Sequence, residues 1–432
     1  MKEDFKLMNL KGTSDVLPEE QIIRNRITDT LKKKFELYGF LPLETPILCY
    51  YDLLASKYAG GAEILKEVYK FKDQGMRDIG LRYDLTVPFS KVIGMNKGLI
   101  LPFKRYEIGK VFRDGPVKLG RAREFYQCDV DACGVESPYA EIEYFMMSKE
   151  VFKEFNLDVE IRYNNRKFLS GLLEYVSVPK ENIGAFITLI DKLDKLTRDD
   201  IESELEELSS KEVVDKVFKY FEYDLEMLTS ELGNTNVELL IEGINELNSL
   251  DKLIKDLNLD LCKFTPFLAR GLEIYTGTVW EIFDKTGEFK SALGGGGRYD
   301  KIITNFLHNG EEYPAIGMSF GLEPMYTLLK ERESKELKKY DVYVYSFNND
   351  KYLFEISNML RQNNIKVLTE LNNIKLKKAM NNANREKIDK VIIIGEDELK
   401  NNSVTLKNMV TGNQELVKIE DIVSKIKDNY LK

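Results

Sequence analysis

Three arginines occupy a short stretch of the sequence in which they could bind a polyphosphate. Arg113, Arg121 and Arg123 flank a segment that also contains Gly115 and Gly120, and the glycines would let the loop move. Guanidinium groups bind phosphate oxygens through paired hydrogen bonds, so a phosphate chain could lie across this segment. A surface loop with ordinary ion pairs would account for the same spacing, and the residues alone leave both interpretations open.

Glycines accompany potential ligand-binding side chains in two later segments. In LARGLEIYTGT (268–278), Arg270 and Tyr275 stand beside glycines, where the backbone could approach a ligand closely. In LGGGGRYD (293–300), four consecutive glycines are costly in backbone entropy, yet the pattern matches neither GxxxxGK[ST] nor GxGxxG nucleotide loops. The first segment could be a hairpin turn. The second could be a bulged strand turn, or it could line an adenine or amino-acid pocket.

The histidine and cysteine content restricts the chemistry further. His308 is the single histidine, and none of the four cysteines belongs to a CxxC pair. The common zinc-binding patterns are therefore incomplete, and no metal site is expected. A mechanism that needs a histidine base would depend on His308, which lies in a polar stretch. Carboxylates, arginines, tyrosines or groups of the substrate itself must then carry any reaction.

The arginine segment joins two stretches that are rich in β-forming residues. Residues 103–113 and 123–133 flank an eight-residue connection with two glycines, which predicts an antiparallel hairpin. Side chains alternate between the two faces of a strand. One face of the second strand should therefore carry Arg123, Phe125, Gln127, Asp129 and Asp131.

A helix and an extended segment precede this hairpin. Apolar residues at helical spacing follow Pro18 and stop at Gly39, which predicts an amphipathic helix. Pro42 and Pro46 come next, and two prolines exclude a central strand. The segment is therefore expected to be an edge or interface strand.

Charge and periodicity divide the 432 residues into regions. Residues 165–263 are mostly helical by period and carry 12 basic against 22 acidic residues, which predicts a helical insertion within a domain of residues 1–330. The charged segment 331–339 is predicted to be a linker. Strands and helices alternate over 340–432, which predicts a small α/β domain with a largely parallel sheet.

The distribution of charge also bears on partners and location. The whole chain has 63 basic and 72 acidic residues, a net charge of −9, which disfavours general polyanion binding. Residues 338–432 are by contrast net positive, with 17 basic against 13 acidic residues, and are the better candidate for nucleic-acid contact. No apolar run reaches about 20 residues, and the N-terminus lacks the apolar core of a signal peptide. A cytoplasmic protein without membrane contact is expected.

Taken together, the segments closely resemble the class II aminoacyl-tRNA synthetases, and within that class the histidyl-tRNA synthetase family. FRDGPVKLGRAREFYQCDVDACG (112–134) is similar to motif 2 of the class with its loop. LARGLEIYTGTVWE (268–281) and GGGGRYD (294–300) resemble the two histidine-specific signatures. The other similar segments are YGFLPLETP (38–46) for motif 1, LRYDLTVP (81–88) for the amino-acid-binding strand and IGMSFGLEP (316–324) for motif 3.

The resemblance implies both a fold and an activity. The fold would be an α+β catalytic core, an antiparallel sheet flanked by helices, with a helical insertion and a C-terminal α/β anticodon-binding domain. The activity would be that of a histidine–tRNA ligase, with L-histidine, tRNA-His and ATP as partners, Mg²⁺ beside the ATP and no organic cofactor. The family also implies a homodimer with Pro46 at its interface. The substrate carboxylate would attack ATP directly, so a protein with one histidine can perform this reaction.

The family also implies roles for the matching residues. Arg270 and Arg113 would be catalytic: Arg270 would lie between the substrate carboxylate and the α-phosphate, and Arg113 with Arg121 would contact ATP phosphates. Motif 3 departs from the class pattern, because Pro324 stands where an arginine that touches ATP is typical. The residues implied to bind histidine are Asp84, Thr86 and Gln127 at the α-amino group, Asp131 and Tyr275 at the imidazole, and Tyr299 closing the pocket.

Two questions stay open from the residues. Lys375, Lys378 and Arg385 lie on or near one predicted helix and are candidates for tRNA contact, although a solvated helix face would explain them as well. A regulatory subunit like that of ATP phosphoribosyltransferase, or a non-catalytic tRNA-binding sensor, are the alternatives to a working ligase. Regulatory paralogues generally lack the C-terminal domain and the intact Arg270 signature, and both are present here.

Overall fold

The chain forms two compact units, Met1–Lys330 and Glu331–Lys432. The computed structural model describes residues 7–56, 63–117, 122–136, 138–194, 196–270, 274–307 and 309–427. Arg121 and His308 lie outside the described residues. Of the helices in the described ranges, none is long and apolar enough to cross a membrane.

The first unit is built around a large, mainly antiparallel sheet. Its described strands are β1 (Leu41–Pro42), β2 (Leu48–Tyr50), β3 (Lys70–Lys72), β4 (Asp78–Leu81), β5 (Phe103–Phe112), β6 (Glu124–Cys133), β7 (Val159–Asn165), β8 (Cys262–Phe264), β9 (Thr278–Asp284), β10 (Gly294–Arg298) and β11 (Ala315–Phe320). Eight of them form one sheet in the order β1-β5-β6-β11-β10-β9-β7-β8, and β2-β4-β3 form a small antiparallel sheet. The large sheet is parallel at its two edges, β1 with β5 and β7 with β8, and antiparallel elsewhere. It is the antiparallel core expected from the sequence.

The predicted hairpin and edge strand are confirmed. β5 and β6 pair in antiparallel fashion from Phe103, opposite Cys133, to Phe112, opposite Glu124. β1 lies at the edge of the sheet, where Pro42 can be accommodated because its missing N–H interrupts no second ladder. The β5–β6 hairpin and the edge strand β1 therefore follow from local sequence rules.

Helices surround this sheet. Those that begin in the first unit are α1 (Pro18–Leu37), α2 (Tyr51–Ser56), α3 (Thr86–Met95), α4 (Tyr139–Glu154), α5 (Arg166–Tyr175), α6 (Ile183–Ile190), α7 (Arg198–Leu208), α8 (Lys211–Phe221), α9 (Leu225–Leu232), α10 (Glu238–Asp256), α11 (Asp300–Leu307) and α12 (Leu322–Glu336). α1 begins at Pro18, because the first turn of a helix does not need that N–H, and the chain leaves it through Gly39, whose φ is +77°. This helix is as predicted.

One face of the large sheet is covered by apolar packing. Leu31 and Phe35 of α1 belong to the same buried cluster as Tyr106 of β5 and Val130 of β6. Burial of each such side chain contributes about 1.5–3 kcal/mol to stability. The residues that alternate with them along both strands, among them Asp131, point to the opposite face, which is left for polar contacts.

Helices α5 to α10 occupy the acidic region that was predicted to be mostly helical. Two glycines allow α5 and α10 to pack backbone against backbone. A Cβ on Gly243 would lie 2.2 Å from the backbone nitrogen of Phe168, and one on Gly171 would lie 2.5 Å from that of Leu240. These helices follow β7 and lead back into β8, so both ends of the region are tied to the large sheet.

The second unit contains a five-stranded sheet. Its strands are β12 (Val342–Ser346), β13 (Val367–Thr369), β14 (Lys390–Ile394), β15 (Ser403–Asn408) and β16 (Gln414–Lys418), and its helices are α13 (Asp350–Gln362), α14 (Leu376–Arg385), α15 (Glu396–Lys400) and α16 (Ile422–Lys427). The order is β13-β12-β14-β15-β16. β12 is parallel to β13 and β14, but β15 is antiparallel to β14 and β16. Two of the four pairings are thus antiparallel, so the predicted α/β unit is present but its sheet is mixed rather than largely parallel. The short connection between β15 and β16 allows only an antiparallel pair.

The segment 331–339, which is predicted to be a linker, begins within a helix. Helix α12 continues through this segment as far as Glu336. The segment ERESKELKK contains neither glycine nor proline, the two residues that interrupt helices most strongly.

Candidate active site

The polar face of the large sheet brings distant residues into two adjacent rows. In the first row, Asp131 of β6 lies opposite Gly317 of β11, which lies opposite Gly297 of β10. The second row, two residues along the strands, consists of Asp129, Ser319 and Gly295. Small residues therefore form a floor beside two carboxylates.

The Asp131 carboxylate is held by two buried partners. Nη2 of Arg105 lies 2.7 Å from its Oδ2, and Tyr299 donates its hydroxyl hydrogen to Oδ1. Burial, followed by the charge of Asp131, raises the pKa of Tyr299 well above its usual value, so the phenol remains a donor. A Cβ on Gly317 would lie 2.0 Å from Oδ1 of Asp131, so only glycine fits beneath it. Asp131 is thus kept in one orientation as an acceptor.

The glycine cluster of β10 makes room for two expected site residues. A Cβ on Gly297 would lie 2.6 Å from the ring of Tyr275, and one on Gly295 would lie 2.5 Å from Nη1 of Arg270. Both glycines pair regularly with neighbouring strands on two sides. The cluster is therefore a central strand on which site side chains lie, rather than a turn.

Arg270 is a charged group that lies over Gly295, in the second row of small residues. Its guanidinium carbon is 5.5 Å from the centre of the Tyr275 ring, and its Nη1 is 2.7 Å from Oε1 of Glu281. Burial opposes the charged form, but Tyr275, Glu281 and Asp191 outweigh it and raise the pKa of Arg270. The side chain is 23% exposed, so a ligand can reach this permanent cation.

Asp84 and Thr86 lie in a segment that Arg105 connects to the sheet. Asp84 is buried, and its Oδ1 accepts a hydrogen bond of 3.1 Å from a backbone N–H in the first turn of α3. Thr86 is the first residue of that helix. Nη2 of Arg105 donates to the carbonyl oxygen of Leu85 at 3.0 Å and also contacts Asp131. The expected α-amino and imidazole subsites therefore share one buried cation.

Arg113 and Gln127 lie along the same end of the hairpin. Nε of Arg113 donates to the carbonyl oxygen of Tyr83 at 3.1 Å, and its guanidinium carbon lies 5.2 Å from the centre of the Phe125 ring. Oε1 of Gln127 is buried and makes no hydrogen bond within the described part of the chain. Arg113 is thus anchored next to the segment that carries Asp84, and Gln127 retains an acceptor for a ligand.

A second buried ion pair supports this segment. Nη1 of Arg82 lies 2.7 Å from Oε1 of Glu107, which also accepts hydrogen bonds of 2.9 Å from the backbone and hydroxyl of Thr45. Arg82 also donates to the carbonyl oxygens of Thr45 and Lys110. The residues just before Asp84 are thereby locked to β5 and to the segment that follows β1.

Sequence reasoning missed Arg105 as a residue of the site, and it placed Asp129 on the polar face without giving it a role. The hairpin register contains the missing signal, because Arg105 lies opposite Asp131 and Glu107 lies opposite Asp129. Counting back from the loop would have placed this cation next to the carboxylates on the polar face. The alternation of side chains along β6, considered without its partner strand β5, did not reveal Arg105.

The remaining expected contacts lie outside this face. Lys375 precedes α14, and Lys378 and Arg385 lie on that helix; all three are exposed, whereas Ala379 and Ala383 of α14 are buried in the second unit. The exposed basic face is therefore a feature of the second unit.

Pro324 occupies the first turn of α12, a position that tolerates proline. Its neighbour Glu323 accepts two hydrogen bonds of 2.6 Å from Arg24 of α1. The motif 3 position therefore offers no guanidinium to a nucleotide, and this helix end is instead anchored to α1.

Comparisons with known proteins agree with this arrangement. A family model described as histidyl-tRNA synthetase matches residues 12–325, and one described as an anticodon binding domain matches residues 341–429. Histidine–tRNA ligase 1 of Bacillus cereus is 46% identical over 430 residues, covering 99% of this chain and 98% of the relative. Histidine–tRNA ligase 2 of Shouchella clausii is 44% identical, with 95% and 97% covered. The crystal structure of a Nostoc histidyl-tRNA synthetase has a TM-score of 0.84 at 27% identity, with 98% and 100% covered.

The mainly antiparallel sheet, its arginine-bearing hairpin and the anticodon-binding unit define an aminoacyl-tRNA ligase of class II. The relatives match the chain over nearly its whole length, which disfavours a regulatory subunit. The chain belongs to the histidyl-tRNA synthetase family.

Proposed function

We propose that the protein activates L-histidine with ATP and transfers it to tRNA-His. The observation that carries this proposal is that Arg270 lies over the same sheet face as the Asp131–Tyr299 pair. β6 and β10 are two strand spacings apart, about 10 Å. A histidine whose imidazole met Asp131 would extend its carboxylate across the glycine floor toward Arg270.

The first step needs no basic side chain, because the carboxylate of histidine is ionised at neutral pH. One of its oxygens attacks the α-phosphorus of ATP, the bond from that phosphorus to the bridging oxygen breaks, and pyrophosphate leaves. Arg270 and Arg113 would supply positive charge where negative charge gathers on the phosphate oxygens. Orientation of the two substrates can lower the barrier by about 7–11 kcal/mol. Mg²⁺ enters bound to ATP, as part of that substrate.

Selectivity for histidine follows from the buried acceptor. Arg105 and Tyr299 hold the Asp131 carboxylate in place. When a ligand lacks an N–H group, the carboxylate therefore cannot turn away from the ligand to find another donor. Tyr275 would contact the other edge of the imidazole. A site of this kind, in which an incorrect ligand leaves a buried polar group unpaired, can discriminate by about 10⁴–10⁵.

Histidine-dependent ATP–pyrophosphate exchange, measured with each of the twenty amino acids, tests this function. We expect exchange with histidine to exceed that with any other amino acid by at least 1000-fold. A folded protein without exchange for any amino acid would contradict the ligase function. Binding of tRNA-His without exchange would instead favour a sensor.

The second step and the tRNA contacts are assigned to the other regions. The terminal adenosine of tRNA-His would attack the adenylate carbonyl, and AMP would leave. We assign residues 340–432 to anticodon binding and the helical insertion 165–263 to the acceptor side, with 331–339 joining the two parts of the chain. In support of a position near the site, the charge of Asp191, which belongs to the insertion, helps to raise the pKa of Arg270.

Simultaneous replacement of Lys375, Lys378 and Arg385 by alanine should raise KM for tRNA-His at least tenfold. Each lost phosphate contact would also reduce the salt dependence of binding, by about one unit of slope. Pyrophosphate exchange should not change, because adenylate formation does not involve tRNA. Aminoacylation at several salt concentrations measures both effects.

The matched control removes the same charge from exposed lysines elsewhere in the second unit, Lys400, Lys418 and Lys425. If this control variant weakens tRNA binding as much as the first, the α14 face has no special role.

A homodimer would bury apolar side chains that are exposed around β1 and β2. Leu41, Leu48 and Tyr50 are each more than half exposed, and such concentrations of large apolar residues mark interfaces. Sedimentation equilibrium should give twice the 50.0 kDa of one chain. A monomer mass at micromolar concentration would contradict this. We place the enzyme in the cytoplasm, where its tRNA is charged.

A further inference from the structure

A buried carboxylate at the centre of the site has no role in the activity described so far. Asp129 lies between Gln127 and Asp131 on β6, opposite Glu107 of β5 and Ser319 of β11, and is 5% exposed. Its Oδ1 makes no hydrogen bond to any described residue. A buried carboxylate oxygen without a donor costs free energy, so it calls for a functional explanation.

The charges around Asp129 leave it without a cation of its own. The groups that face it are Arg105 and Glu107 of β5, Asp131 of β6, Ser319 of β11 and Asp84 of the segment before α3. Arg105 is the single cation in this set, and its Nη2 is 2.7 Å from Asp131. Among the described residues, a donor for Oδ1 of Asp129 would therefore have to come from a ligand.

The protonation of Asp129 is poised near neutrality. Burial and the charge of Asp131 raise the pKa of Asp129 to about 7, against the opposing effects of Arg105 and the Ser319 hydroxyl. Near neutral pH, the empty site thus carries this proton in a fraction of the molecules. A cation that arrived beside Asp129 would favour the ionised form.

We propose that Asp129 balances the α-ammonium group of the bound amino acid and releases its proton to solvent when that group binds. This inference rests on the proposed function, because it takes histidine as the ligand. The α-ammonium is the one group of histidine that remains cationic above pH 7. It is expected next to Asp84 and Gln127, and Gln127 lies two residues from Asp129 on the same face of β6.

The pH dependence has a defined sign. Below pH 7 Asp129 is protonated in the empty site, so binding must expel a proton and affinity falls as pH falls. Above pH 7 the carboxylate is already ionised and affinity reaches its maximum. Free imidazole titrates in the same range, at about 6.5, so the effect has to be separated from that of the ligand.

Two analogues that both contain imidazole make this separation, once the protonation of each free imidazole at the working pH has been measured and subtracted. Histidinol has the ammonium group but no carboxylate, whereas imidazolepropionate has the carboxylate but no ammonium group. Isothermal titration of the full chain in two buffers of different ionisation enthalpy gives the number of protons released. At pH 7 we expect histidinol to release measurably more protons than imidazolepropionate does. This measurement uses the unaltered protein.

Asp129→Asn provides the second test, since the amide keeps the shape and removes the charge. We expect the variant to bind histidinol at least tenfold more weakly at pH 8 and to release no extra proton. Its affinity for imidazolepropionate should stay within twofold. Asp78→Asn, at an exposed position on β4, is the matched control and should leave the affinity for both ligands unchanged.

Three results would overturn the inference. The first is an equal loss of affinity for both analogues in Asp129→Asn, and the second is an unchanged affinity of that variant for histidinol. The third is that the unaltered protein releases no extra proton when histidinol binds. Equal loss would mean that Asp129 has a structural role alone. Failure here is distinguishable from failure of the proposed function. Normal histidine-dependent exchange without an ammonium-specific effect rejects the role of Asp129, whereas absence of exchange rejects the ligase activity itself.

Discussion

Replacement of Arg270 by alanine should reduce histidine-dependent ATP–pyrophosphate exchange by at least 100-fold in a protein that remains folded. Removal of one preorganised donor from a developing oxyanion typically costs about 2.7–4 kcal/mol in transition-state stabilisation, and we expect a comparable cost here. Glu281 would lose its partner at 2.7 Å, but it is partly exposed and water can solvate it. The loss should therefore appear in the rate rather than in the free energy of unfolding.

Steady-state exchange together with thermal unfolding separates these effects. Arg77→Ala is the control, because Arg77 is an exposed arginine whose ion pair with Asp73 lies on the surface. Arg270→Lys should recover little activity, since an ammonium group cannot bridge a carboxylate and a phosphate in the planar manner of guanidinium. A near-normal rate in Arg270→Ala would show that this residue has been given the wrong role.

Gly317→Ala should raise KM for histidine by at least 100-fold while KM for ATP changes little. The added methyl group would lie 2.0 Å from Oδ1 of Asp131, much closer than any real contact. Asp131 cannot retreat, because Arg105 and Tyr299 hold it from two sides. The nearest backbone atom, the carbonyl oxygen of Val130, is 3.0 Å away, so the strain falls mainly on the carboxylate.

Gly98→Ala is the matched control for this substitution. A Cβ at Gly98 would have no atom within 4 Å, and the backbone there is not left-handed. An equal rise in both KM values of Gly317→Ala would indicate general damage to the sheet. Unchanged histidine binding would mean that Asp131 does not read the substrate.

Local pattern was sufficient for the elements whose signals are short in range. The helix after Pro18, the edge strand at Pro42 and the hairpin that ends in β6 follow from periodicity, proline chemistry and glycine-containing loops. Alternation along β6 also placed Gln127 and Asp131 on one face, as a shared ligand requires. These predictions depend on neighbours within about twenty residues.

The glycine cluster shows where local pattern ends. In isolation, Gly294 to Gly297 were compatible with a turn or with a pocket wall. They form a strand because β9 and β11 pair with them on both sides. The need for glycine arises from Tyr275 and Arg270, which lie across Gly297 and Gly295. No local signal contains that crowding.

Residue types, together with the family resemblance of the motifs, thus predicted the chemistry: arginines for phosphates, carboxylates and phenols for an imidazole, and a substrate that carries its own nucleophile. The cluster of Arg105, Asp131 and Tyr299, and the isolation of Asp129 beside it, arise from tertiary structure. Their partners come from segments up to 168 residues apart, whose relative positions depend on the packing of the whole sheet. Burial then strengthens the interactions of these charges, because a low dielectric increases both the energy of each ion pair and the cost of each unpaired polar group.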